Sequence, residues 1–189
     1  MRCRRVRLTG GQWRKAAPEV NKREAILSDI SDFVLAEGLE AATLRAMALA
    51  AGQSDRMLLY YFEDKDQILR EVVDHLTGRF EAQLTQHVIE GALRKEALHA
   101  RLDELVMGAT LWPHLRFGLD LAARAARGDA LVSAAALRME KGFHRWIESQ
   151  LTGTDPNLRR QQATEILIGL RGVVALKAAG MGALVEEIM

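Results

Sequence analysis

The sequence predicts an all-α chain: three short helices in a cluster, joined by one long helix to a second and larger helical unit. Three observations carry that expectation. Apolar residues recur at three- and four-residue spacing along most of the chain and nowhere alternate with a strand period. Cap residues and glycines punctuate these runs at both ends. The runs also differ in length, with two very short ones placed ahead of a long one.

Taken in order, residues 1–20 hold Gly10, Gly11 and Pro18 with little periodicity and read as a flexible arm. Asn21-Lys22-Arg23-Glu24 is a capping-box-like start for the first helix, in which Ile26, Ile30, Phe33 and Val34 share a face and Gly38 supplies the stop. Thr43 caps a second helix with Leu44, Met47, Ala48 and Ala51 on one side, and Gly52 ends it. Ser54 caps a third, about eight residues long, too short to stand without neighbours. Asp64 and Gln67 form another capping pair. Behind them Leu69, Val72, Leu76, Phe80 and Leu84 run as one stripe for about 25 residues, or ~38 Å. Further helices are expected over 97–107, from Pro113, over 130–151 and over 158–179, with breaks at Gly128-Asp129 and Gly153-Thr154-Asp155-Pro156.

Composition narrows the function classes. A chain of 189 residues that is 49% hydrophobic and 27% charged can bury a core without staples. One cysteine, Cys3, excludes an internal disulfide framework and suits a reducing, cytoplasmic compartment. The longest apolar stretch, 166–185, is interrupted by Arg171 and Lys177, so no membrane span is expected. Net charge is only +1, but it is unevenly placed. Arg2, Arg4, Arg5, Arg7, Arg14, Lys15, Lys22 and Arg23 face only Glu19, which suits either an arm along DNA or an unused tail.

The two short helices turning at Gly52 on a third form a helix-turn-helix pattern, whose last helix enters the major groove. The text from Arg23 to Leu69 is more specific. With Phe33, Glu37-Gly38, Thr43-Leu44-Arg45, Met47-Ala48, Ala50-Ala51-Gly52, Ser54, Leu58, Tyr60-Tyr61-Phe62, Lys65 and Ile68-Leu69, it resembles the TetR family of repressors without a gap. It departs from the family's usual pattern at Arg56, Leu59 and Tyr61, which alters the expected operator. Leu58 and Phe62, four apart, should face the core and leave Asp55, Arg56, Met57, Leu59 and Tyr60 towards the groove. Arg56 is the candidate guanine reader, with a phosphate contact or a plain surface arginine as alternatives. The resemblance adds Thr43, Leu44, Arg45, Ser54, Tyr61 and Lys65 as contact positions, although Tyr61 equally suits packing beneath the helix.

The domains expected are the basic arm at 1–20, a DNA-binding domain at 21–68 and an effector-binding and dimerisation domain at 69–189. From Ile166 to Ala179 apolar residues lie nearly all round the helix, with small Gly169, Gly172, Ala175 and Ala178 among them. Pairing of the last two long helices with those of a second copy would cover that surface. Phe80, Met107, Trp112, His114, Phe117, Met139, Phe143 and Trp146 are the candidate lining of an effector pocket, each singly also explicable as core. The resemblance implies a small effector there, and the lining argues for an apolar or aromatic one.

The expected partners are therefore a palindromic DNA operator, a small-molecule effector and a second copy of the chain, with repression rather than activation following the family's habit. No cofactor, metal or catalytic residue is called for. His75, His87, His99, His114 and His144 offer no ligand pair at i, i+4, and no phosphate loop, GxSxG or HExxH occurs. The alternative is a helical adaptor or small-molecule-binding protein without operator-specific DNA binding.

Overall fold

The computed structural model describes residues 18–87 and 91–188, so the basic run from Arg2 to Lys15 lies outside the described residues. The described helices are α1 (Pro18–Glu37), α2 (Leu44–Ala50), α3 (Asp55–Tyr61), α4 (Lys65–Gln86), α5 (Lys95–Met107), α6 (Trp112–Ala126), α7 (Ala130–Gln150), α8 (Pro156–Ala178) and α9 (Gly182–Ile188). No strand occurs among the described residues. A single bridge ties Leu93 to Leu151, with Leu93 N–H donating to the Gln150 carbonyl and Thr152 N–H to the Leu93 carbonyl, both at 2.9 Å.

The caps read from sequence set most boundaries. Thr43 Oγ1 accepts from Ala46 N–H at 3.2 Å, Ser54 Oγ from Met57 N–H at 3.2 Å and Asp64 Oδ1 from Gln67 N–H at 2.6 Å. Gln67 returns its own side-chain oxygen to the Glu63 N–H rather than to Asp64, a one-residue shift of the reciprocal box. Asp129 and Asp155 cap α7 and α8. Gly38 adopts φ +90 and Gly52 φ +61, left-handed values that end α1 and α2 without a Cβ penalty.

Most other boundaries fall within two residues of expectation, and the larger differences lie at the two ends of the described chain. α1 begins at Pro18, so Asn21 lies inside the helix rather than capping it. Proline suits a first helical turn, where its missing N–H would be unpaired anyway, and this outweighs the capping-box text three residues on. α9 is an additional helix, seven residues placed after the Gly180 turn.

α4 is the spine. It packs along α1 on one side and α7 on the other, while α6 lies on α7 and α8 lies on α7 and α5. Its 22 residues span ~33 Å. All five stripe residues, Leu69, Val72, Leu76, Phe80 and Leu84, are buried. Because α4 contributes to both ends, one hydrophobic core runs from Ile26 in α1 to Val174 in α8.

Candidate functional site

The three-helix head is built around Leu58 and Phe62. Both are buried, together with Ile26, Ile30 and Val34 of α1 and Met47 and Ala48 of α2. Fixing those two side chains inward fixes what α3 turns outward. Asp55, Arg56, Leu59 and Tyr60 are exposed, Leu59 by 46% and Tyr60 by 68%, while Met57 is half-buried. The outward side of α3 thus sets two large side chains, Leu59 and Tyr60, beside the Arg56 guanidinium and the Asp55 carboxylate.

Arg23, which the sequence places in the basic run and the motif without a structural role, holds this head together. Its Nε donates to the Tyr61 carbonyl at 3.1 Å, its Nη2 donates to Glu71 Oε1 at 2.6 Å, and its guanidinium lies 4.4 Å from the centre of the Phe62 ring. One side chain thus joins α1, the end of α3 and α4. The accompanying signal in the sequence is Glu71, a carboxylate two turns into α4.

The remaining nucleic-acid candidates sort by exposure. Arg45 and Lys65 are exposed at the starts of α2 and α4. The exposed Thr43 and Ser54 spend an oxygen lone pair on capping and keep the hydroxyl hydrogen as a donor. Leu44 is half-buried and packs against the core. Tyr61 also packs there, edge-on to Tyr60 at 5.2 Å, with Lys22 Nζ 5.9 Å above its ring.

The pocket candidates divide into two places. Phe80, His114, Met139, Phe143 and Trp146 come together inside the bundle of α4, α6, α7 and α8. Phe80 lies 5.5 Å from Phe143 and 6.1 Å from His114, and Phe143 lies 6.1 Å from Trp146. Met139 enters beside Gly118, one turn along α6 from His114. Phe117, on the same helix, is buried in the core. Met107 and Trp112 sit instead at the corner of α5 and α6. There Lys177 Nζ donates to the carbonyls of Val106 and Met107 and lies 4.3 Å from the centre of the Trp112 ring. That lysine completes the carbonyl end of α5, and burial lowers its pKa.

His114 is 2% exposed, and neither ring nitrogen has a partner among the described residues. Burial first, and the Arg79 charge second, push its pKa from 6.5 down to about 4, so the ring is neutral at physiological pH. Arg171 enters the same interior from α8. Its Nε donates to Glu140 Oε2 at 3.0 Å and its Nη2 meets Oε1 at 2.7 Å, a two-pronged pair between α8 and α7. Unlike His114, neither Arg171 nor Glu140 is marked by the sequence as part of a site.

Two contacts join this body to the head. Arg116 of α6 donates to the Leu35 and Ala36 carbonyls at 3.0 and 2.5 Å, closing the C-terminal end of α1. Asp120, one turn on, accepts from the Leu39 N–H at 3.4 Å. The same α6 that faces the interior with His114 and Gly118 therefore grips the head with its outer side. A polar cleft of about 340 Å3 opens nearby, between Leu39 and Glu40, Lys65 and Leu69, and Arg124, Arg127 and Asp129. Among the described residues no group of three His, Cys, Asp or Glu could hold a metal ion, and no described helix is long and apolar enough to cross a membrane.

A capped seven-residue helix held with its polar and aromatic side outward on two others is a helix-turn-helix head, here carried on an all-helical body. The family model for bacterial regulatory proteins of the tetR family matches residues 34–72, the stretch from the end of α1 into α4. No curated protein sequence matches the chain. Among solved structures, a transcriptional regulator from Rhodococcus sp. Rha1 superposes with a TM-score of 0.67 at 23% identity, over 86% of each chain. A protein from Rhodococcus sp. described as a TetR-family transcriptional regulator gives 0.62 at 16% identity, over 86% of this chain and 89% of that one. The reduced form of Escherichia coli NemR gives 0.66 at 13%, over 88% and 93%. The head thus matches the DNA-binding helix-turn-helix model of the tetR-family regulators over residues 34–72, and the chain shares its fold with solved transcriptional regulators, TetR-family ones among them.

Proposed function

We propose that the protein is a ligand-responsive repressor that binds a palindromic operator as a homodimer and is released by a small apolar or aromatic effector. The observation that carries this reading is the outward face of α3, with Leu58 and Phe62 anchored in the core and Asp55, Arg56, Leu59 and Tyr60 exposed. Arg56 and Leu59 are the proposed base readers, with Met57 and Tyr60 beside them. Thr43, Arg45, Ser54, Tyr61 and Lys65 are the proposed backbone contacts, with Leu44 seating α2. The stretch ahead of α1 as an arm, a DNA-binding domain from α1 to residue 68, and an effector and dimer domain at 69–189 are the proposed division of labour.

Dimerisation is supported by apolar surface that one chain leaves uncovered. Leu137 of α7 and Leu158, Ile168 and Leu176 of α8 are all at least 41% exposed, and Gly172 and Ala175 on α8 are exposed small positions that admit a close helix. Two such chains can set their α3 helices about one DNA turn apart, ~34 Å. An effector in the interior acts if it favours the arrangement that does not fit DNA. The Arg116 and Asp120 contacts give such a change a route from α6 to α1.

The test is fluorescence anisotropy on the DNA just upstream of the protein's own coding region, at several salt concentrations, with a scrambled duplex beside it. The expected result is sequence-selective binding by two chains, with log affinity falling linearly with log salt. Equal affinity for the scrambled duplex would favour a helical adaptor or ligand-binding module instead.

A further inference from the structure

Several polar atoms on α4, α6, α7 and α8 are buried without partners among the described residues. They are Arg171 Nη1, Trp146 Nε1, both ring nitrogens of His114 and Gln83 Oε1. Buried polar atoms are nearly always paired, so an unpaired set calls for an explanation in what the interior holds or is built to hold. Phe143 links them, with its ring 5.5 Å from Phe80, 6.1 Å from Trp146 and 5.6 Å from the Arg171 guanidinium carbon. Arg171 Nη1 also reaches α6, since a Cβ added at Gly118 would lie 3.6 Å from it. Gly118 is one turn from His114 on the same helix face. Met139 closes the gap, its Cε 3.2 Å from that Cβ position, and an unbranched thioether is the side chain best able to move aside.

Charge selects the class of molecule that fits. Glu140 already takes Arg171 Nε and Nη2, so the cation is balanced before any ligand arrives. His114 adds no charge while burial keeps it neutral. A carboxylate would bring an uncompensated charge into this interior, and an ammonium would meet Arg171 with no carboxylate to spare. An uncharged acceptor incurs neither cost and satisfies the Nη1 N–H.

Resting on the reading that this interior holds the effector, we propose that the effector is an uncharged aromatic molecule bearing a carbonyl-type acceptor. Its ring lies among Phe80, Phe143 and Trp146, and its acceptor takes a hydrogen bond from Arg171 Nη1, with Trp146 Nε1 and His114 as further donors.

Four probes of one size separate the possibilities: acetophenone, ethylbenzene, benzoate and benzylammonium, titrated by calorimetry into the intact protein. Acetophenone is expected to bind roughly ten-fold more tightly than each of the others, as a hydrogen bond from a charged donor provides. Removing the ion pair whole, Glu140→Leu with Arg171→Leu, avoids stranding a charge. It should bring acetophenone down to the level of ethylbenzene while ethylbenzene binding persists. Trp146→Phe, which keeps a ring in place, should reduce acetophenone affinity by about three-fold and serves if the double variant fails to fold. Benzoate binding best, or ethylbenzene matching acetophenone, overturns the acceptor proposal and leaves an effector site standing. Binding by none of the four overturns both.

Discussion

Acidification should cost this fold stability through His114. The ring is 2% exposed among apolar neighbours, and its pKa falls from 6.5 to about 4 because burial, then Arg79, disfavours the imidazolium. Between those values the unfolded chain binds a proton that the folded chain refuses. Stability is therefore intact above 6.5, drains as pH falls and levels off near 4, where the folded ring begins to protonate as well. At ~1.4 kcal/mol for each tenfold change in the equilibrium, the interval amounts to about 3 kcal/mol. His75, also lowered by burial, acts in the same direction, and Asp103, raised by burial, acts against it. The comparison is thus made against His114→Phe, which retains a ring against Phe80 and cannot titrate. Urea unfolding from neutral pH to about 4 should show the unsubstituted protein losing about 3 kcal/mol more than the variant. Parallel curves would refute the argument and mean that His114 finds water or a partner in solution.

Other predictions concern the head. Arg23→Ala removes a cation from Glu71, a donor from the Tyr61 carbonyl and the stacking on Phe62, and should cost about 2 kcal/mol by thermal unfolding. Leu58→Ala, at a side chain 0% exposed, should cost about 2–5 kcal/mol in chemical denaturation and loosen α3. Arg56→Ala should weaken binding only at particular base pairs, whereas Lys65→Ala should weaken every sequence and lower the salt slope by about one. Replacing thymines with deoxyuridine in a bound operator removes only methyl groups. A loss at one position that vanishes in Leu59→Ala would locate that side chain on a thymine.

Local chemistry was the legible part of this fold. Thr43, Ser54 and Asp64 announce helix starts because a short side-chain acceptor beside unpaired N–H groups has a strong local preference, and Gly128-Asp129 and Gly153-Thr154-Asp155-Pro156 announce the breaks before α7 and α8. The α4 stripe was legible because every fourth or third residue from Leu69 to Leu84 is apolar. Asn21 misled because Pro18 makes an equally good start three residues earlier. Long-range pairing was not legible. Arg23 with Glu71, Arg116 with the α1 carbonyls, Lys177 with the end of α5 and Arg171 with Glu140 each join residues far apart in sequence. Nothing in spacing distinguishes them from surface charges. The same limit split the pocket candidates, since Met107 and Trp112 share the aromatic and sulfur character of the other six but lie around Lys177.

The central claim is that two copies of α3 read DNA sequence from opposite halves of one site. Selecting duplexes from a random pool with the intact protein, then sequencing those retained, tests it most directly. The account predicts an enriched inverted repeat, with half-site centres about one turn or a multiple of one turn apart. Arg56→Ala should blur single positions within each half. A pool retained without any enriched sequence, or one enriched for a single unrepeated site, would contradict it.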